Sequence, residues 1–157
     1  MTTPDLAEWP RTDAGHRRSE RTASIGHGDD VWARASHDVL RWKVKTASGF
    51  TVDDDSPVAQ DQRVRVTARV LGIEIVEPVE VVSVVREPDR VGFSYRTLPG
   101  HPVTGEEAFI VHRCAGEVQL TVRSLTRPAP QQPWRMLYPL LRIAQVIART
   151  RYLRALR

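Results

Sequence analysis

From Arg63 to Val70 the chain alternates strictly, with Val64, Val66, Ala68 and Val70 set against Arg63, Arg65, Thr67 and Arg69. A period of two is the mark of a strand with one face buried. Gly72 interrupts the pattern, residues 73–76 resume it before Pro78, and residues 79–86 form a β-branched run that turns at Glu87-Pro88-Asp89. Val91, Phe93, Tyr95 and Thr97 share one face of the next strand, and residues 108–113 and 118–125, joined at Ala115-Gly116, complete the set. Short strands linked by tight turns predict an antiparallel meander. Residues 21–25 give a weaker first strand, closed by Gly26 and Gly28.

Two stretches follow a helical period instead. Trp32, Ala35, Val39 and Trp42 recur at i, i+3, i+7 and i+10 after Asp29-Asp30, either of which is a good N-cap. This predicts an amphipathic helix of about four turns ending near Ser48-Gly49. Near the C-terminus Pro133 suits a first helical position. Met136, Leu137, Leu140, Leu141, Ala144, Ile147 and Ala148 then form one broad apolar face, with Arg135, Arg142 and Arg149 opposite and Pro139 expected to kink the first turns. Residues 1–18 are polar and rich in turn formers, which predicts a flexible N-terminal arm before a single domain over 19–157. Asp53-Asp54-Asp55 lacks the spacing and the turn glycine of a calcium loop, so it is expected to be solvated.

A helix, several antiparallel strands and a long final helix give the α+β class. A curved antiparallel β-sheet wrapped around the C-terminal helix would bury every apolar face identified above. That order resembles the helix-grip fold of START-like lipid carriers, plant pathogenesis-related ligand binders and small aromatic polyketide cyclases. The stretches VGFSYRTLPGHPVTGEEAFIV and SLTRPA, with the ending RTRYLRALR, are also similar to a family of bacterial and plant hypothetical proteins known by a numbered domain of unknown function. VWARASHDVLRW and EPVEVVSVVREPDRVGF fit the same family, so the resemblance covers residues 19–157. It implies the helix-grip fold and brings no reaction with it.

Composition narrows the setting. The 157 residues are 41% hydrophobic and 27% charged, as expected of one globular domain with a substantial core. No apolar run is long enough for a membrane span, and the polar start MTTPDLAEWP is unlike a secretory signal. Cys114, the single cysteine, cannot make an internal disulfide, which points to the cytoplasm. The net charge of +4 is concentrated: residues 133–157 hold six arginines and no acid, while the remainder has seventeen basic against nineteen acidic side chains. If the sheet covers the apolar face of the last helix, these arginines form a solvated stripe, and neither nucleic acid nor a membrane surface is expected as a partner.

Candidate chemistry concentrates in residues 95–109, YRTLPGHPVTGEEAF. Parity with Phe93 turns Tyr95 and Thr97 inward. His101 falls in a loop between turn signals, either at a pocket mouth or at the surface for turn geometry. Glu106 and Glu107 must face opposite sides of their strand, and parity with Phe109 and Val111 makes Glu107 the inward one. A buried carboxylate needs a partner, and Arg151, about one turn beyond Ala148, is expected to pair with it or to close one end of a cavity. No clustered metal ligands, strained nucleophile turn or phosphate-binding glycine loop is visible, so no metal or cofactor is expected. The expected function is binding of a small hydrophobic molecule between sheet and last helix. Its expected lining is Phe93, Tyr95, Thr97, Phe109, Leu140, Ala144, Ile147 and Arg151. The alternative is a cyclase, isomerase or dehydratase for a polyketide-like or other hydrophobic substrate, with Tyr95 and His101 exchanging protons and Glu107 as base or orienting group. A third possibility is an interaction module using the basic helix face. The identity of the ligand and the oligomeric state are not written in these patterns.

Overall fold

The computed structural model describes residues 1–11, 15–70 and 72–157, so Thr12–Ala14 of the expected arm and the inward position expected for Val70 fall outside the described side chains. The order is β1 (Arg17–His27), α1 (Asp29–Val39), α2 (Lys43–Thr46), β2 (Phe50–Val52), β3 (Arg63–Val70), β4 (Ile73–Glu87), β5 (Arg90–Thr97), β6 (Val103–Cys114), β7 (Glu117–Pro128) and α3 (Trp134–Tyr152). One seven-stranded sheet runs β1-β7-β6-β5-β4-β3-β2, antiparallel at every pairing. α1, α2 and the end of α3 meet its concave side. The core gathers there around Trp42, Phe93, Phe109, Val111 and Leu120, each at most 1% exposed.

Two differences from the expected strands have physical causes. Residues 73–76 and 79–86 are one strand, because Pro78 sits where the missing amide is not needed. Its carbonyl accepts from the Leu98 amide, so its nitrogen faces the side on which β5 has already ended at Thr97. The second difference is β2, three residues too short to show a period, which pairs with β3 through Phe50–Val52 and Val66–Ala68.

The first helix is also divided. α1 stops at Val39, and Trp42 adopts the left-handed conformation (φ 58°) before α2 begins. Such a conformation is costly for a bulky residue unless packing holds it. Here Trp42 is 1% exposed and packs edge-on against Phe93 with ring centroids 4.8 Å apart. Asp29 and Asp30 lie in the first turn of α1 and face its positive end, and Gly28 occupies the N-cap.

The expected arm is laid across the convex face of the sheet over residues 1–11. Arg123, 1% exposed, donates from Nη1 to the carbonyls of Thr3 (2.6 Å) and Leu6 (2.9 Å), from Nη2 to Ala7 (2.9 Å), and from Nε to Glu20 (2.8 Å). Trp9, 6% exposed, completes the layer. Replacing Arg123 by methionine strands these carbonyls. We expect a loss of about 2 kcal/mol and faster amide exchange over residues 2–9, read by exchange mass spectrometry. Unchanged exchange there would contradict the role given to Arg123.

Candidate functional site

The register of β5 and β6 places Tyr95 opposite Glu107 and Phe93 opposite Phe109, all on the concave face. The Tyr95 hydroxyl donates to Glu107 Oε2 in a short hydrogen bond. The cation at this carboxylate is Lys45 of α2, with Nζ 3.1 Å from Oε2, and not Arg151 as the helix pattern suggested. Lys45 Nζ also donates to the Tyr152 hydroxyl at 2.7 Å. Phe50, Tyr95, Phe109 and Tyr152 surround the ammonium, with ring centroids 4.8–5.8 Å away. The break at Trp42 makes this possible, since it re-aims α2 so that Lys45 points into the fold.

Burial works against the charge on Lys45, and Glu107 leads the groups that reverse this and hold its pKa well above the ordinary 10.5. Lys45 therefore keeps its charge at neutral pH. Burial pushes both Tyr95 and Tyr152 upward, and for Tyr95 the charge of Glu107 adds to the effect, so both phenols keep their protons at neutral pH.

A second polar pair stands on the cavity wall. Glu77 of β4 faces inward with the same parity as Val79 and Val81, and His101 approaches from the β5–β6 loop with Nε2 3.9 Å from Glu77 Oε2. His101 is 6% exposed, and its Nδ1 accepts from the Val103 amide at 3.0 Å, which leaves the ring proton on Nε2. Burial, and then the positive charge of Lys45, push its pKa down to about 3, so it is a neutral donor aimed at Glu77. Burial raises the Glu77 pKa, Lys45 partly offsets the shift, and the negative Glu107 adds to it. The loop histidine is thus a wall residue and not a surface one.

These groups border an open concavity of about 400 Å³ between the sheet and α3. Its apolar walls include Ala68, Ile75, Val103, Leu141, Ala144 and Ile147, and the exposed side chains of Arg69 and Arg151 stand at its edge. Of the residues expected to line it, Tyr95, Thr97, Ala144, Ile147 and Arg151 do so, together with His101 and Glu107. Phe93 and Phe109 do not. They are 0% exposed, and Phe109 packs edge-on against Tyr152 with centroids 5.2 Å apart, so the two rings support the floor without forming it. Leu140 is 62% exposed on the far side of α3. The expectation that the sheet would occupy the whole apolar face of α3 also fails, since Met136, Leu140 and Ile147 of that face are more than half exposed and Tyr152 alone is buried within the helix. Thr97 Oγ1 accepts from the Gly105 amide at 3.0 Å and so helps fix the loop that delivers His101.

Sequence reasoning missed Lys45, Glu77 and Tyr152. Parity carried through Pro78 would have turned Glu77 inward with Val79, and Tyr152 lies four residues beyond Ala148 on the expected inner face. Lys45 had no local signal, because its direction depends on one left-handed residue. Among the described residues no group of histidine, cysteine or acidic side chains is placed to hold a metal ion, and no helix is long and apolar enough to cross a membrane.

A sequence profile described as Domain of unknown function (DUF1990) matches residues 2–155. A UPF0548 protein of Deinococcus radiodurans is 61% identical over 36 residues, a stretch that spans 23% of this chain and 18% of that protein. Among solved structures, the hypothetical protein jhp0584 from Helicobacter pylori has a TM-score of 0.63 at 14% identity, with 99% of this chain and 96% of that chain covered. The Zhui aromatase/cyclase from Streptomyces sp. R1128 has a TM-score of 0.57 at 18% identity (88% and 92% covered). A START superfamily protein from Mycobacterium smegmatis has 0.52 at 13% identity (87% and 94% covered). At these identities the likeness is one of fold, a curved antiparallel sheet with a C-terminal helix.

Proposed function

The chain belongs to the DUF1990 family, and from that premise we propose that it binds a small hydrophobic molecule in the concavity between the sheet and α3. The supporting observation is one arrangement: about 400 Å³ of space walled by apolar side chains, with a hydrogen-bonded polar group at its floor. Pockets for small ligands share that combination of apolar walls and few convergent polar atoms. Tyr95, Tyr152 and the Lys45–Glu107 pair would receive the polar end of the ligand, and Ala144 and Ile147 would cover its apolar body. Exposed Cys114, free of any disulfide, fits a cytoplasmic setting.

Native mass spectrometry of protein purified without added ligand is expected to find a bound apolar compound. The uncharged dye N-phenyl-1-naphthylamine should also bind saturably. Ala144→Trp, which fills space next to the floor, should weaken the dye about tenfold, close to 1.4 kcal/mol. A protein that carries no compound and shows no saturable dye binding would sink the proposal.

One observation favours a second reading, an enzyme of the cyclase, isomerase or dehydratase type. Glu77 is a wall carboxyl with a raised pKa beside the neutral donor His101, a pairing suited to proton removal next to a carbonyl. In this reading Glu77 takes the role first given to Glu107, which is committed to Lys45. Glu77→Gln would then abolish turnover of a bound substrate while leaving its affinity within a few-fold, whereas a binder would show no turnover to lose.

A further inference from the structure

We infer that the outward face of α3 docks onto an anionic lipid bilayer. Met136, Leu140, Ile143 and Ile147 recur at i, i+4, i+7 and i+11 and are 72%, 62%, 60% and 51% exposed, so they form one continuous apolar stripe in water. The helix is 19 residues long, about 28 Å of contact surface. The sheet side of α3 is held by Tyr152 and by the Arg149–Ser124 hydrogen bond of 2.9 Å, so Met136, Leu140 and Ile143 point away from the sheet, and Ile147 is where the stripe meets the cavity mouth.

The charge beside the stripe selects the partner. Residues 133–157 contain six arginines and no acid. On the flank toward β1, Arg142 and Arg149 join Arg17 around a groove of about 190 Å³, whose remaining lining is Pro139, Ile143, Gln145 and Val146, with no carboxylate among the described residues. Three guanidiniums around a small groove suit a phosphate group, and the groove shares Ile143 with the apolar stripe. Arg151 lies on the other flank. A helix lying in a bilayer surface has this layout, with apolar side chains below the headgroups and arginines level with the phosphates. Nucleic acid would use the arginines and leave the stripe in water. A second copy of the same face would bring arginine flanks together with no acid on the segment to oppose them.

The test is co-sedimentation of the full chain with vesicles of phosphatidylcholine alone and of phosphatidylcholine mixed with phosphatidylglycerol, at low and high salt. Binding should favour the anionic vesicles at least about tenfold at low salt and fall as salt rises. Ile143→Glu and Arg142→Glu should each reduce it about tenfold, with unchanged circular dichroism and unchanged naphthylamine binding. Neither residue belongs to the proposed cavity lining, so this docking and the cavity reading fail or survive separately. Equal binding to both vesicle types, no binding to either, or full binding by Ile143→Glu would overturn the inference. A wild-type dimer in sedimentation that Ile143→Glu dissociates would overturn it in favour of self-association.

Discussion

Replacing Glu107 by leucine is expected to remove about 3–5 kcal/mol of folding stability, the usual consequence of leaving one member of a buried pair without the other. Lys45 is 4% exposed and Glu107 14% exposed, so little solvent is available to replace the lost carboxylate. The substitution also deprives the Tyr95 hydroxyl of its acceptor. A whole domain is stable by about 5–15 kcal/mol, so the variant should sit close to unfolding in urea titrations at neutral pH. Adding Lys45→Met to Glu107→Leu should recover much of the loss, because an apolar pair of similar volume avoids the desolvation of both charges. A Glu107→Leu variant within about 1 kcal/mol of the parent would show that Lys45 finds another anion or water. The pair has a defined window: the raised pKa of Lys45 means its contribution is complete below 10.5 and is lost only as pH rises through the higher value in the fold.

Acidification should act through His101. Its pKa is about 3 in the fold against 6.5 ordinarily, so between those values the unfolded chain binds a proton that the folded chain refuses. Stability therefore rises with pH across this window and is lost as pH falls from 6.5 toward 3. At about 1.4 kcal/mol per pH unit the full shift is worth roughly 4–5 kcal/mol. Burial is its main cause, and the charge facing the ring is that of Lys45, with Glu77 3.9 Å away. Glu77 works in the opposite sense. Its raised pKa gives a contribution present in acid that fades as pH rises through its folded value. Comparing urea midpoints of the parent and His101→Gln from about pH 7 down to about pH 4 separates the two. The parent should lose several kcal/mol, and the variant should be nearly flat or reversed. Parallel curves would mean that His101 takes up its proton without disturbing the fold.

Much of this arrangement was legible in the residues. Alternation through Val91, Phe93, Tyr95 and Thr97 puts Tyr95 on the inner face, and the same parity separates Glu107 from Glu106. Both follow from the fixed two-residue repeat of a strand, which tertiary contacts rarely override. Where the repeat is interrupted, the inward side is no longer legible. Pro78 looks like a break in the pattern and hides the parity of Glu77, although the strand continues because β5 ends beside it. The wheel of α3 identified an apolar face but not how much of it the sheet would accept, because a helix apolar on most sides can present several of them to its neighbours. Lys45 was unreadable for a different reason: a helical pattern assumes a continuous helix, and Trp42 ends that continuity with a single dihedral.

That residue has a consequence for how the site can vary. The sheet delivers Tyr95, Glu107 and Glu77 through rigid register, whereas the buried cation that meets them hangs on a short segment held by one left-handed residue. A change at Lys45 alone can therefore withdraw or replace the charge without disturbing a strand pairing. The polar floor is assembled from one half set by strand pairing and one half set by a four-residue helix.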